Sequence, residues 1–169
     1  MLLWISFFLG RTRVSRRKGR ILAFQVLFSW EATKCSLDDL LNFSWLQKDS
    51  EFTANPETEA AVAEVKESSK EEQTFASLIA SGTVDHISEI DQMIKAHLTK
   101  DWSLERLNKV TLAILRTSIY EMKFQAGSTP QIVIDEAVKI AKDFGTDDSY
   151  KFINAVLDKI GKDEAAKKD

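Results

Sequence analysis

Apolar residues recur along this chain at three- and four-residue intervals, a period that predicts helices rather than strands. Ile21, Phe24, Leu27 and Phe28 line one face of a helix predicted from Ser15 to about Ala32, with Leu22 and Val26 widening it. Ser36-Leu37-Asp38-Asp39 reads as a helix start, a serine cap with acids in the first turn, and a second helix is expected to about Leu46. Phe75, Leu78 and Ile79, then Ile87, Ile90, Ile94 and Leu98, continue the helical period, and Gly82 is expected to kink or divide it. Ser103 is the predicted cap of a helix from Leu104 to about Gln125. Its middle, Val110 to Tyr120, is apolar on nearly every side, as in a helix enclosed by neighbours. Gly127 stands where a glycine stop belongs. Thr129-Pro130 opens a helix carrying Val133, Ile134, Ala137, Ile140, Ala141 and Phe144, and Gly145 ends it. Asp147 or Asp148 caps a last helix with Phe152, Ile153, Val156, Leu157 and Ile160, which Gly161 is predicted to stop. The pattern predicts five to seven helices and an all-α fold.

Composition supports that class. Two prolines and six glycines in 169 residues are too few for the turns of an all-β chain. With 44% hydrophobic residues the chain can bury one core of ordinary domain size. Cys35 is the only cysteine, so it is read as a small apolar filler, and the composition suits a reducing cytoplasm. The opening MLLWISFFLG is apolar, but Arg11, Arg13, Arg16 and Arg17 follow it, whereas a signal peptide puts its positive charges first. It is also too short to span a bilayer, so no membrane partner is expected. Residues 1–12 are read as an extension and 13–161 as one helical domain. The stretch 48–72 is read as a solvated acidic insertion, because its many glutamates offer little apolar surface to offset ordering entropy. Residues 162–169 are read as a frayed polar tail.

Little in the chain suggests catalysis. There is no phosphate loop, dinucleotide fingerprint or nucleophile elbow. His86 and His97 lie eleven residues apart and no short ligand pair nucleates a metal site, so neither metal nor cofactor is expected. Asp135 and Glu136 are adjacent and point about 100° apart on a helix, which suits a first-turn acid pair better than an acid–base couple. The expectation is a binding protein, not an enzyme. The basic run Arg11, Arg13, Arg16, Arg17, Lys18 and Arg20 is uninterrupted by any acid. It could be a solvated face. Yet cations at a helix N-terminus oppose the helix dipole, and guanidinium forks pair with phosphate, so nucleic acid is the favoured partner. The net charge of −3 would confine such binding to one patch.

Arg16-Arg17-Lys18-Gly19-Arg20, with Ala23, Gln25, Leu27-Phe28 and Ser29-Trp30, resembles the opening of the NusB family of transcription antitermination factors, a basic run followed by A-x-Q-x-L-Y-x-W. Ile114-Leu115-Arg116 with Tyr120-Glu121 looks like the family's I/V-L-R-x-x-x-Y-E helix. Pro130 through Ile134-Asp135-Glu136-Ala137 and Ala141-Lys142 is similar to its P-x-x-V-x-I-N-E-A-x-x-L-A-K segment. Phe144-Gly145, Asp148-Ser149, Lys151-Phe152-Ile153-Asn154 and Val156-Leu157-Asp158-Lys159 complete the likeness. It covers residues 13 to 34 and 75 to 160.

The resemblance implies about seven helices packed as two small bundles. It implies binding to boxA-type single-stranded RNA of ribosomal RNA leader transcripts together with NusE, a small-subunit ribosomal protein. It further implies assembly with RNA polymerase and other Nus factors. Carried over, the RNA surface comprises Arg13, Arg16, Arg17, Lys18, Arg20, Phe28, Phe144, Asp148, Lys151 and Phe152. Phe28 stands where many members have tyrosine, which removes a hydroxyl but retains a stacking ring. His97 stands where members often have an aromatic. Thr111 occupies a position where some members carry an acid facing NusE, and is the candidate partner contact. Some helical modules of this kind dimerise through the RNA surface, so a homodimer is also weighed. Two alternatives stand beside this reading. One is a helical protein–protein adaptor. The other is an RNA-binding domain related to those of ribosomal RNA methyltransferases, whose glycine-rich cofactor loop and catalytic cysteine are not found in this sequence.

Overall fold

The computed structural model describes residues 15–47 and 68–168. Seven α-helices lie among them: α1 (Arg16–Thr33), α2 (Leu37–Leu41), α3 (Lys70–Asp85), α4 (Ile87–Lys95), α5 (Lys109–Phe124), α6 (Pro130–Phe144) and α7 (Ser149–Ala166). Two short 3-10 turns, Ser44–Gln47 and Leu104–Arg106, complete the order, and no strand occurs among the described residues. The apolar extension, Arg11, Arg13 and residues 48–67 of the acidic stretch lie outside the described residues.

Helix α5 is the axis of the fold. It contacts α1, α3 and α4, and also α6 and α7, so it is shared by two helical groups. Thr111 to Glu121 are all buried, as the all-round apolar pattern requires. α1 packs against α5 and α3, and none of its Ile21, Leu22, Phe24 and Leu27 is more than 1% exposed. Ile134, Ala137 and Ile140 of α6 and Ile153, Val156, Leu157 and Ile160 of α7 close the core from the other side.

Two glycines let backbones approach. A β-carbon on Gly19 would fall 2.5 Å from the Phe75 ring and 3.2 Å from the Glu72 carbonyl, so α1 and α3 touch there. Gly82 does not divide α3, which runs through it to Asp85; a β-carbon there would meet the Tyr120 ring at 2.0 Å. The break instead falls at His86, whose Nδ1 lies 2.9 Å from the Gly82 carbonyl and whose ring lies 4.1 Å from that of Phe124.

Several boundaries differ from the sequence expectations. The second helix stops at Leu41, and Phe43 turns back into the core with φ of 55°. Ser103 precedes only the turn Leu104–Arg106; α5 starts at Lys109, where the Asn108 side chain accepts from the Val110 and Thr111 amides. Gly161 does not stop α7, which runs to Ala166, so 162–166 are helix rather than tail. The physical reason is side-chain anchoring: Asp163 pairs with His97 at 2.8 Å and Glu164 with Lys123 at 3.5 Å. At the end of the acidic stretch Lys70 and Glu71 are exposed, but Glu72 departs from the solvated expectation. Glu72 is 5% exposed, and its carboxylate accepts from the Ser69 amide and from the Ser15 amide. Ser69 accepts in return from the Glu72 amide, a capping box that starts α3. One buried carboxylate thus serves the N-termini of α1 and α3. Cys35 is exposed rather than a filler.

Replacing Gly82 with alanine drives a methyl group into Tyr120 and is expected to destabilise the fold by about 1–3 kcal/mol. Chemical denaturation checks this, and the additional truncation Tyr120→Ala should relieve part of the clash.

Candidate nucleic-acid interface

The basic run enters α1, where Ser15 caps the helix and accepts from the Lys18 amide. Successive side chains on a helix diverge by about 100°, so Arg16, Arg17, Lys18 and Arg20 meet different surroundings. Arg16 is exposed; its Nη1 donates to the Gly127 carbonyl at 2.8 Å, and its guanidinium lies 6.0 Å from the Phe75 ring centre. Arg17 pairs with Asp143 of α6, and its Nη1 lies 3.7 Å from Glu136. Lys18 is half-buried, and no side-chain ion pair of its ammonium is found among the described residues.

Arg20 departs from the surface expectation. It is 8% exposed, and its Nε and Nη2 donate to both carboxylate oxygens of Glu121 at 2.8 and 2.7 Å. Nη2 also lies 3.2 Å from the Ser128 hydroxyl. Arg20 is therefore committed to holding α1 and the 125–129 loop against α5, and its fork is not presented to phosphate. Thr111 also departs from expectation. It is 4% exposed, buried by helices that pack around α5, and offers no surface to a partner.

The aromatic candidates divide. Phe28 is partly buried against the core. Phe144, at the end of α6, is half-buried with its ring 5.1 Å from Phe24 in an edge-on contact. Phe152, on the second turn of α7, is half-buried and stacks on Trp102 at 6.5 Å between ring centres and 29° between planes. Asp148 occupies the cap position of α7 with φ of 64°, but its side chain makes no capping hydrogen bond. It pairs instead with Lys151 at 2.8 Å, and that hydrogen bond raises the Lys151 pKa. Both residues are exposed.

The pairing of Arg17 with Asp143 puts the start of α1 beside the end of α6, and the short 145–148 connection brings α7 to the same region. Arg17 is thereby tied to the residue before Phe144, and Asp148, Lys151 and Phe152 follow within eight residues along the chain. Tyr150 joins them unforeseen, with the Lys142 ammonium 4.8 Å and the Lys151 ammonium 5.8 Å from its ring centre. Trp102 was also missed; it lies in a connection with no periodic pattern, and only its residue type hinted at a surface role. Cationic groups around aromatic rings are what single-stranded nucleic acid needs: charge for phosphates and flat faces for unpaired bases. No group of three or more metal-ligating side chains occurs among the described residues. No described helix is long and apolar enough to cross a membrane.

Glu136 is held ionised beside Arg17. Burial pushes its carboxyl up, but the hydrogen bond from Lys139 and the charges of Lys139, Arg17 and Arg20 outweigh this and lower its pKa. A carboxylate with a lowered folded-state pKa adds stability above its ordinary value of 4.5, and that stability is lost as pH falls through the folded value. Melting temperature should therefore fall as pH drops below about 4.5, and Glu136→Gln should make the decline shallower.

The buried pair supplies a second test. Glu121→Ala leaves Arg20 enclosed without a counter-charge and should cost about 3–5 kcal/mol. The double variant Arg20→Met with Glu121→Leu should recover most of that loss in denaturant melts.

A sequence model of the NusB family matches residues 17–162. Transcription antitermination protein NusB of Treponema denticola is 48% identical over 147 residues, covering 87% of this chain and 96% of that protein. The protein of the same name from Borreliella burgdorferi is 38% identical, over 83% of this chain and 89% of its own length. Among solved structures, T. maritima NusB superposes with a TM-score of 0.67 at 31% identity, over 87% of this chain and 90% of that one. A structure of antitermination factors NusB and NusE in complex with double-stranded RNA matches with a TM-score of 0.68 at 27% identity, over 88% and 96%.

Proposed function

The chain belongs to the NusB family, and on that premise we propose that it is an antitermination factor that binds boxA-type single-stranded RNA together with NusE. The observation that carries the reading is the Arg17–Asp143 pair, which sets the basic start of α1 against the end of α6, next to Phe144 and the connection to α7. The matched complex of NusB and NusE with double-stranded RNA supports RNA and NusE as partners, and the single-stranded form is argued from the exposed rings and cations. Assembly with RNA polymerase and other Nus factors in the cytoplasm, without catalysis, follows as part of the same proposal.

Within the interface each side chain has a separate task. Arg16, Arg17 and Lys18 hold phosphates, joined by Arg13 ahead of the helix. Arg20 keeps α1 in place. Phe28, Phe144 and Phe152 offer ring faces to bases, and Asp148 with Lys151 meets polar base edges. Phosphate contacts position the strand and carry no sequence information, so selectivity rests on the α7 side and on NusE. NusE contacts a surface other than Thr111, which is buried. The adaptor alternative is served less well, because stacked, half-exposed rings flanked by lysines suit bases better than an acidic peptide.

The test is a titration of boxA-like and scrambled RNA at several salt concentrations, with and without NusE. About four phosphate contacts give a slope of log K against log salt of roughly −3. The triple variant Arg16→Ala, Arg17→Ala, Lys18→Ala should flatten the slope, whereas Arg20→Met with Glu121→Leu should not. NusE should tighten binding to boxA more than to scrambled RNA. Equal binding of both RNAs with NusE present would refute the reading.

A further inference from the structure

Trp102 is 53% exposed, although an indole side chain gains more than most from burial. Its position is not loose. The Trp102 amide donates to the Thr99 carbonyl at 3.0 Å, and Arg106 Nη1 donates to the Asp101 carbonyl at 2.9 Å. Leu104 and Leu107, just beyond it, are buried and anchor the segment in the core. The backbone is therefore fixed while the ring projects. One side of the indole rests on Phe152. The two rings border a groove of about 340 Å³ walled by His97, Leu98, Val156 and Lys159. The His97 wall is itself pinned, with Nδ1 2.8 Å from the Met93 carbonyl and Nε2 2.8 Å from Asp163. A groove of this size with flat aromatic walls and an exposed lysine at its edge fits one planar, unpaired ring carried on a negatively charged chain.

We propose that Trp102 is a base-stacking residue: one unpaired base of the bound RNA enters the Trp102–Phe152 groove, stacks against the indole, and presents its phosphate to Lys159. The inference rests on the RNA-binding reading above and adds a reader on a segment that none of the family's motifs quoted for this chain includes. The strand would then run from the α1 cations past the α6–α7 junction and along α7 to Lys159.

The experiment measures binding of the full-length protein with NusE to boxA-like RNA, for wild type, Trp102→Phe and Trp102→Ala. Loss of one stacking contact corresponds to about 1–3 kcal/mol, so Trp102→Ala should bind about 5- to 100-fold more weakly. Trp102→Phe should retain most of the affinity. Because stacking involves no counterion release, the salt slope should be unchanged in both variants. Removing single bases from the RNA, leaving the backbone intact, should identify one position at which wild type and Trp102→Ala become equal. Melting temperatures of the variants should match wild type, since the ring is half in solvent. If Trp102→Ala binds within twofold of wild type while the Arg16, Arg17, Lys18 triple variant is weakened, the stacking proposal is wrong and the RNA reading stands. If Trp102→Ala instead lowers affinity for NusE in the absence of RNA, the groove belongs to the protein partner and the proposal fails. If wild type binds no RNA at any salt concentration, both fall.

Discussion

Arg116 and Glu121 sit on a helix that neighbours enclose, so each charge needs a counter-charge from another helix for the core to form. Arg116 finds two: Asp91 of α4 accepts from Nε and Nη2, and Glu31 of α1 accepts from Nη1. Burial opposes its charge, but the two carboxylates outweigh that and raise its pKa. Glu121 finds Arg20 of α1 in a two-pronged pair. The two charges lie five residues apart on α5 and both reach α1, so they fix α1 in register as well as in distance. Apolar contacts alone tolerate sliding, because hydrophobic burial is not directional. Buried ion pairs do not tolerate it, because a displaced partner leaves a charge without water or counter-ion.

That constraint shapes the functional surface. With α1 held by Arg20 and by Glu31, its first turn is delivered to a set place beside α6, where Arg17 meets Asp143. The Glu72 carboxylate secures the same turn from the α3 side by accepting from the Ser15 amide. The cations are therefore presented from a rigid helix end rather than from a loose arm. Fewer of them are free than their number suggests. Arg20 is fully engaged, while Arg16, Arg17 and Lys18 each keep part of their surface open, Arg17 beside its partner Asp143. Positive charge at a helix N-terminus is unfavourable to the helix dipole, and here the acids of α5 and α6 offset it.

The C-terminal side shows the same economy of contacts. Lys123 near the end of α5 reaches Glu89 of α4 at 2.7 Å and Glu164 of α7, and its hydrogen bond with Glu89 raises its pKa. With the His97–Asp163 pair, this carries α7 past Gly161 and ties His97 to the helix whose Phe152, Val156 and Lys159 line the same groove. Chain positions far apart thus meet in one groove through ordinary surface pairs, each weak alone but acting together at one place.

The helices themselves were legible because their information is local. The three-to-four spacing of apolar residues marked α1, α6 and α7, and the all-round apolar run marked α5. Thr129-Pro130 and Gly145 set both ends of α6. The family motifs were legible for the same reason, since short strings survive without any knowledge of contacts. What the sequence left undecided was which of several like residues would be buried. Arg16, Arg17, Lys18 and Arg20 read as one basic run, yet only the packing of α1 against α5 turned Arg20 inward to Glu121. Gly82 read as a break and Gly161 as a stop, but Tyr120 needed the first as a contact surface and the Asp163 and Glu164 pairs carried the helix through the second. Glu72 read as one more solvated acid until two helix N-termini converged on it. Trp102 carried no pattern at all, because its role depends on Phe152, fifty residues later. Local propensity is a matter of neighbours along the chain and is written in the sequence. The commitment of a charge or a ring to one partner is decided only when distant segments meet, because only then does burial make an unpaired group costly.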